Sequence, residues 1–167
     1  MLVVDQNILA EVCDHARRSY PAECCGLLTG LRMQGGCVVH RSVVAQNLAA
    51  GDQTTRYVLD SEVLLRTMRS LQSLKGTGDQ IIGFYHSHPN ASPVPSQHDM
   101  AEAWTGYVYL IVPVIAGVPG TPTAWSLDRR LSEFTSITIS TDAHIVQPVC
   151  LAAPRQLGGR CPPCELS

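Results

Sequence analysis

The sequence predicts a single α/β domain in which a mixed, curved β-sheet is flanked by helices. Three observations support that class. At 167 residues the chain suits one domain with a sizeable core. Apolar residues make up 45% and charged ones 16%, a globular and rather apolar balance that excludes a disordered chain. Helix-period and strand-period segments alternate, but without the regular strand–helix rhythm of an all-parallel sheet. The domain is expected over residues 1–150, followed by a flexible Pro/Gly/Cys-containing tail over 151–167.

Taken in order, residues 5–19 read as a helix. Asp5 can cap it, and Ile8, Val12 and Ala16 share a face with Leu9 and Cys13 beside them. Pro21 marks its end, and Glu23 falls in the short connection that follows. Residues 24–32 and 37–45 are strands around a Gly35-Gly36 turn. Cys24 and Cys25 then face opposite sides as small core residues. A polar loop over 47–55 leads to a short strand at 56–59. A helix capped by Asp60 or Ser61 runs to about residue 74, packing Val63, Leu64, Thr67, Leu71 and Leu74 on the sheet. Further strands are expected at 107–114, 123–127 and 134–139, with a loop at 117–122. Met68, Trp104 and Trp125 read as core or its rim, without chemistry.

The stretch from Gly83 to Asp99, GFYHSHPNASPVPSQHD, stands apart. The apolar run before it makes a buried strand that Pro89 ends. Alternation on that strand puts His86 and His88 on one side and Ser87 on the other. A turn-rich loop with Pro93 and Pro95 leads to a helix over 96–104, with Ser96 at its N-cap and Asp99 at N3. Two imidazoles and a carboxylate so gathered suit Zn²⁺, with a fourth position left for water. On spacing alone, a capping box beside two packed histidines is an equally good reading.

With Glu23 added, the pattern resembles a known family. His86-Ser87-His88, seven residues to Ser96 and two more to Asp99 are similar to the His-x-His-x7-Ser-x2-Asp motif of JAMM (MPN+) zinc metalloproteases. Glu23, just before Cys24-Cys25-Gly26-Leu27-Leu28, sits where a small bacterial-type member carries its upstream glutamate. The resemblance implies an α/β/α sandwich of the MPN/JAMM, cytidine-deaminase-like kind. It implies one zinc ion held by His86, His88 and Asp99, Glu23 as general base, and Ser96 as donor to the oxyanion. It also implies hydrolysis of a peptide or isopeptide bond after the C-terminal Gly-Gly of a ubiquitin-like or sulfur-carrier (ThiS/MoaD-type) protein. Release of a C-terminal cysteine is one form of that reaction. An extended Gly-Gly tail would lie along an exposed strand edge near the zinc. Family members occur as monomers and homodimers.

Two other classes compete. A non-catalytic MPN scaffold binds partners only, but such proteins typically lack the ligands that are all present here. A zinc deaminase needs His-x-Glu and Pro-Cys-x-x-Cys. No histidine here has Glu two residues on, and Arg160 precedes Cys161-Pro162-Pro163-Cys164.

Charge and composition narrow the partners. The formal charge is −2 with 12 basic and 14 acidic residues and no Lys/Arg run, so nothing favours nucleic acid. Apolar runs such as 108–116 are too short to span a bilayer, and Asp5 directly follows Met1-Leu2-Val3-Val4, so neither a membrane nor a signal peptide is expected. Seven cysteines are then read as mostly reduced, in a cytoplasmic protein. In the tail, Cys161-Pro162-Pro163-Cys164 has the spacing of half a four-cysteine zinc site, but the sequence holds no second Cys-x-x-Cys to complete it. Leu157-Gly158-Gly159 is similar to the Gly-Gly end of ubiquitin-like proteins.

Overall fold

Helices begin where the sequence supplies caps in the computed structural model, which describes residues 1–74, 76–128 and 133–141. Asp5 accepts from the Asn7 N–H and opens α1 (Gln6–Ser19). Asp60 accepts from the Glu62 N–H at α2 (Ser61–Ser73). Ser96 opens α3 (Gln97–Glu102), which stops short of the expected residue 104 because Ala103 turns extended. The domain boundary at 150/151, the Cys161/Cys164 pair and Leu157-Gly158-Gly159 all lie outside the described residues.

The strands are β1 (Leu2–Val4), β2 (Cys25–Met33), β3 (Gly36–Ala45), β4 (Gln80–Pro89), β5 (Val108–Ile115), β6 (Val118–Pro119), β7 (Thr123–Asp128), β8 (Glu133–Ile137) and β9 (Ile139–Ser140). They form one mixed sheet in the order β8-β7-β5-β4-β2-β3-β1-β9, with β6 pairing β5. β2 runs antiparallel to β3 and β4, whereas β4 and β5 are parallel. A parallel pair needs a crossover, and α3 lies within it. The register of β2 shifts at Leu28/Thr29 against β4 and at Thr29/Gly30 against β3, and such irregularities bend a strand.

Each face of the sheet has its own core. Val12 and Ala16 of α1 pack with Leu28, Tyr85, Leu110, Val112 and Val114. Leu27, Phe84 and Tyr109 point the other way, toward Val63 and Leu64 of α2. The Tyr85 ring lies so close over Gly26 that an added Cβ would stand 2.3 Å from it, so glycine is required there. Cys24 joins the α1 side, while Cys25 aims its thiol at the Ala45 and Gln46 carbonyls, as their adjacency predicted.

Several expectations need correction. Residues 56–59 make only an isolated bridge between Asn47 and Leu59, because the Asn47 side chain, and not a strand, takes the Arg56 carbonyl and the Val58 N–H. The segment 117–122 contains the two-residue β6, and β1 went unforeseen. β1 pairs in parallel with both β3 and β9. Leu74 is 49% exposed, past the last packed turn of α2. Met68 is exposed on the outer side of α2 and joins neither core, whereas Trp104, beyond the end of α3, is exposed at the rim with its ring edge-on to Phe84.

Candidate metal centre

β4 sits near the middle of the sheet, so alternation along it delivers side chains to two covered faces. His86 and His88 share the α2 face with Phe84 and are 0% and 6% exposed. Asp99, in the first turn of the crossover helix α3, comes back over the end of β4 and is 7% exposed. The three sequence-predicted ligands are therefore brought together. The Nε2 atoms of the two histidines are 3.0 Å apart, and Asp99 Oδ1 and Oδ2 lie 3.1 and 3.3 Å from His86 and His88 Nε2. Bonds of about 2.0–2.1 Å in a tetrahedron put neighbouring donors roughly 3.3 Å apart. The triangle thus fits one small divalent ion, and two nitrogens with one carboxylate oxygen are donors that zinc accepts.

The surroundings orient these donors. His88 Nδ1 donates to the Ser92 carbonyl at 2.7 Å, which leaves Nε2 with its lone pair toward the centre. His86 stacks against Tyr57, with ring centroids 4.8 Å apart and 29° between planes. Burial pushes the His86 pKa down, toward the neutral form that ligates. Burial opposes ionisation of Asp99, but the adjoining His86 and His88 rings and the Ser96 hydroxyl outweigh it and hold the carboxyl well below the usual range.

Ser96 is bound into this arrangement by its cap. Its hydroxyl donates to Asp99 Oδ2 at 2.7 Å, its N–H donates to the same oxygen at 2.6 Å, and the Asp99 N–H donates back to Ser96 Oγ at 3.1 Å. The capping box and the ligand set are the same residues, so the two readings of the sequence are not alternatives.

Glu23 arrives by strand register. Cys25 pairs with His86, and the Cys24 N–H donates to Ser87 Oγ, so one further step sets Glu23 opposite His88. Its side is that of Cys25 and the histidines. Glu23 is 6% exposed, and burial, with His88 opposing and the Asp99 charge adding, raises its carboxyl to about 7. A buried carboxyl that titrates near neutrality can accept and return a proton.

An apolar cleft of about 370 Å³ opens beside Asp99, lined by Tyr57, Leu59, Leu64, Phe84, Trp104 and Tyr109. Trp104 and Tyr57 were not singled out for chemistry from the sequence, since neither belongs to the spaced motif. β4 is paired on both sides, by β2 and β5, so it offers no free edge to an extended peptide. Among the described residues, the cleft is an open surface that reaches Asp99.

Residues 5–128 match the family described as prokaryotic homologs of the JAB domain. The chain belongs to that family. It is 40% identical over 106 residues to a desampylase of Haloferax volcanii, covering 63% of this chain and 72% of the relative. It is 31% identical over 111 residues to a probable TtuB-protein conjugate cleaving protease of Thermus thermophilus, covering 66% and 69%. A CysO-cysteine peptidase of Mycobacterium tuberculosis is 31% identical over 101 residues, covering 60% of this chain and 64% of the relative. Among solved structures, a Salinibacter ruber protein superposes with a TM-score of 0.65 at 32% identity over 84% of this chain and 92% of its own. A JAB1/MPN domain protein of Archaeoglobus fulgidus shares the fold, with a TM-score of 0.51 at 18% identity over 83% and 97%. The resemblance drawn from the motif and the α/β class are both borne out, and the JAB-family chain is a hydrolase of the peptidase type. No helix among the described residues is long and apolar enough to cross a membrane.

Proposed function

We propose that this JAB-family chain is a zinc-dependent peptidase that hydrolyses the amide bond after the C-terminal Gly-Gly of a ubiquitin-like or sulfur-carrier protein. The observation that carries the reading is the buried triangle of His86, His88 and Asp99 with Glu23 in register beside it. The names of the relatives, which cleave a TtuB–protein conjugate and a CysO–cysteine bond, support the substrate class. His86 Nε2, His88 Nε2 and an Asp99 carboxylate oxygen would hold the ion. When bound, zinc polarises a carbonyl oxygen and lowers the pKa of a water ligand toward about 7.

The chain's own residues supply the rest. Glu23 takes the proton of the attacking water on its carboxylate and returns it to the departing amine. Its raised pKa matches that exchange at neutral pH. Ser96 Oγ turns from Asp99 Oδ2 to donate to the oxyanion, because a hydroxyl has only one proton to give. The apolar cleft beside Asp99 takes the carrier residues that precede Gly-Gly and shields the scissile bond from bulk water.

Purified zinc-loaded protein incubated with carriers ending in Gly-Gly-Cys or Gly-Gly-peptide should yield the free Gly-Gly carboxylate by mass spectrometry. A chelator should abolish the product and added zinc restore it. Stoichiometric zinc with no cleavage across the panel would instead support a scaffold.

A further inference from the structure

The two histidines of the centre are not held alike. His88 is fixed through its Nδ1–H bond to Ser92, the usual outer hydrogen bond of a metal-binding imidazole. His86 is 0% exposed, yet its Nδ1 has no hydrogen-bond partner among the described residues. The face of Tyr57 stacks on the ring, and His88 meets it at a tilt. Tyr57 belongs to neither the sheet nor a helix, so something must hold it in the loop between β3 and α2.

That something is Asn47, whose side-chain amide uses its full hydrogen-bonding capacity. Its Nδ2 donates to the Arg56 carbonyl at 3.1 Å, and its Oδ1 accepts from the Val58 N–H at 3.1 Å, so both peptide groups of Tyr57 are tied to it. The same Oδ1 accepts from the Ala49 N–H at 3.0 Å. The second Nδ2 proton goes to the carbonyl of Glu23 at 3.0 Å. Gln53 completes the link: its carbonyl accepts the Glu23 N–H at 2.7 Å, and its Nε2 donates to the Asn47 and Ala49 carbonyls. One amide therefore joins the backbone of the glutamate to the backbone of the residue that stacks on His86.

We propose that Asn47 and Tyr57 are positioning residues of the metal centre, Tyr57 holding the His86 ring by stacking and Asn47 keeping Tyr57 and Glu23 in one frame. The proposal rests on the metal-centre reading above. It explains how His86, whose Nδ1 meets no partner among the described residues, keeps its orientation, since a planar neighbour removes the ring's freedom to tilt as a carbonyl would. It also assigns the irregular loop a purpose that residues 47–59 do not reveal in sequence.

Zinc affinity of the purified protein, measured by chelator competition, tests this without any substrate. Tyr57→Phe keeps the ring and should bind zinc as wild type does, whereas Tyr57→Leu should bind about 10–100-fold more weakly. Asn47→Ala should weaken zinc and also lower kcat on a Gly-Gly-Cys carrier about 10-fold or more with KM little changed. Thr54→Ala, which disturbs only the Asp52–Thr54 turn of the same loop, should move neither quantity. Equal zinc affinity for Tyr57→Leu and Tyr57→Phe would overturn the stacking role. Equal losses in Thr54→Ala and Asn47→Ala would reduce Asn47 to a loop stabiliser. The zinc measurements decide the matter even where no carrier is cleaved, so the positioning role and the cleavage reading fail separately.

Discussion

On the α1 side, β4 sends Tyr85 into a cluster closed by Leu28, Leu110 and Val112, and its hydroxyl finds a partner in His15 Nδ1 at 2.9 Å. On the α2 side, the same strand sends Phe84, His86 and His88 into a region whose helix has no buried residue. There an apolar cleft stays open beside Asp99. One face is filled with aliphatic side chains and sealed by a helix; the other ends in titratable groups under a loose cover. Alternation along one strand thus separates what stabilises the sheet from what does chemistry. A metal centre needs rigid support on one side and access on the other, and a central strand supplies both.

If the division holds, changes on the α2 face should remove activity and spare the fold. His88→Ala should lose zinc and with it all measurable turnover, by metal analysis and product mass, while the α1 cluster keeps the melting cooperative. Glu23→Gln should retain one zinc per chain and lose about 10²–10⁴-fold in kcat, the usual share of a general base. A fully active Glu23→Gln protein would remove Glu23 from that role.

The α1 face should behave in the opposite way. Leu110 is 0% exposed, and Leu110→Ala should cost about 2–5 kcal/mol in denaturant unfolding. Zinc affinity and kcat of the folded fraction should stay near wild type, and a proportional loss of both would show that the faces are not independent.

The finest test uses pH on the metal-free protein. Burial raises Glu23 from its ordinary 4.5 to about 7. Between those values the folded chain keeps a proton that the unfolded chain has released. Its contribution is therefore complete below about pH 4.5 and is lost as pH rises through 7. In chelator, Glu23→Gln should melt like wild type near pH 4 and higher than wild type at pH 8. The gain is at most about 3.4 kcal/mol, the cost of moving the carboxyl from 4.5 to about 7 at roughly 1.36 kcal/mol for each tenfold change in proton affinity.

Much of this was legible in the residues. Asp5 and Ser96 announced their helices, and alternation set His86 and His88 on one side. Seven residues from His88 to Ser96 and two more to Asp99 then supplied the third donor. Glu23 was found through the family likeness and not through any local pattern, because its place beside His88 comes from β2–β4 pairing across about 60 residues. Asn47 read as part of an ordinary polar loop and Tyr57 as part of a short strand over 56–59. Trp104 read as core or its rim, and it takes the rim: it is 55% exposed beside the cleft, since α3 ends before it.

The sequence by itself determined the periodic faces, the helix starts and the spacing of the three donors. Those depend on steric and capping preferences acting over a few residues. The tertiary structure alone decided the strand order, the register that puts Glu23 opposite His88, and the amide that ties Tyr57 to Glu23. Such pairings are chosen by how the whole sheet buries its two faces, and no short window of residues contains that balance.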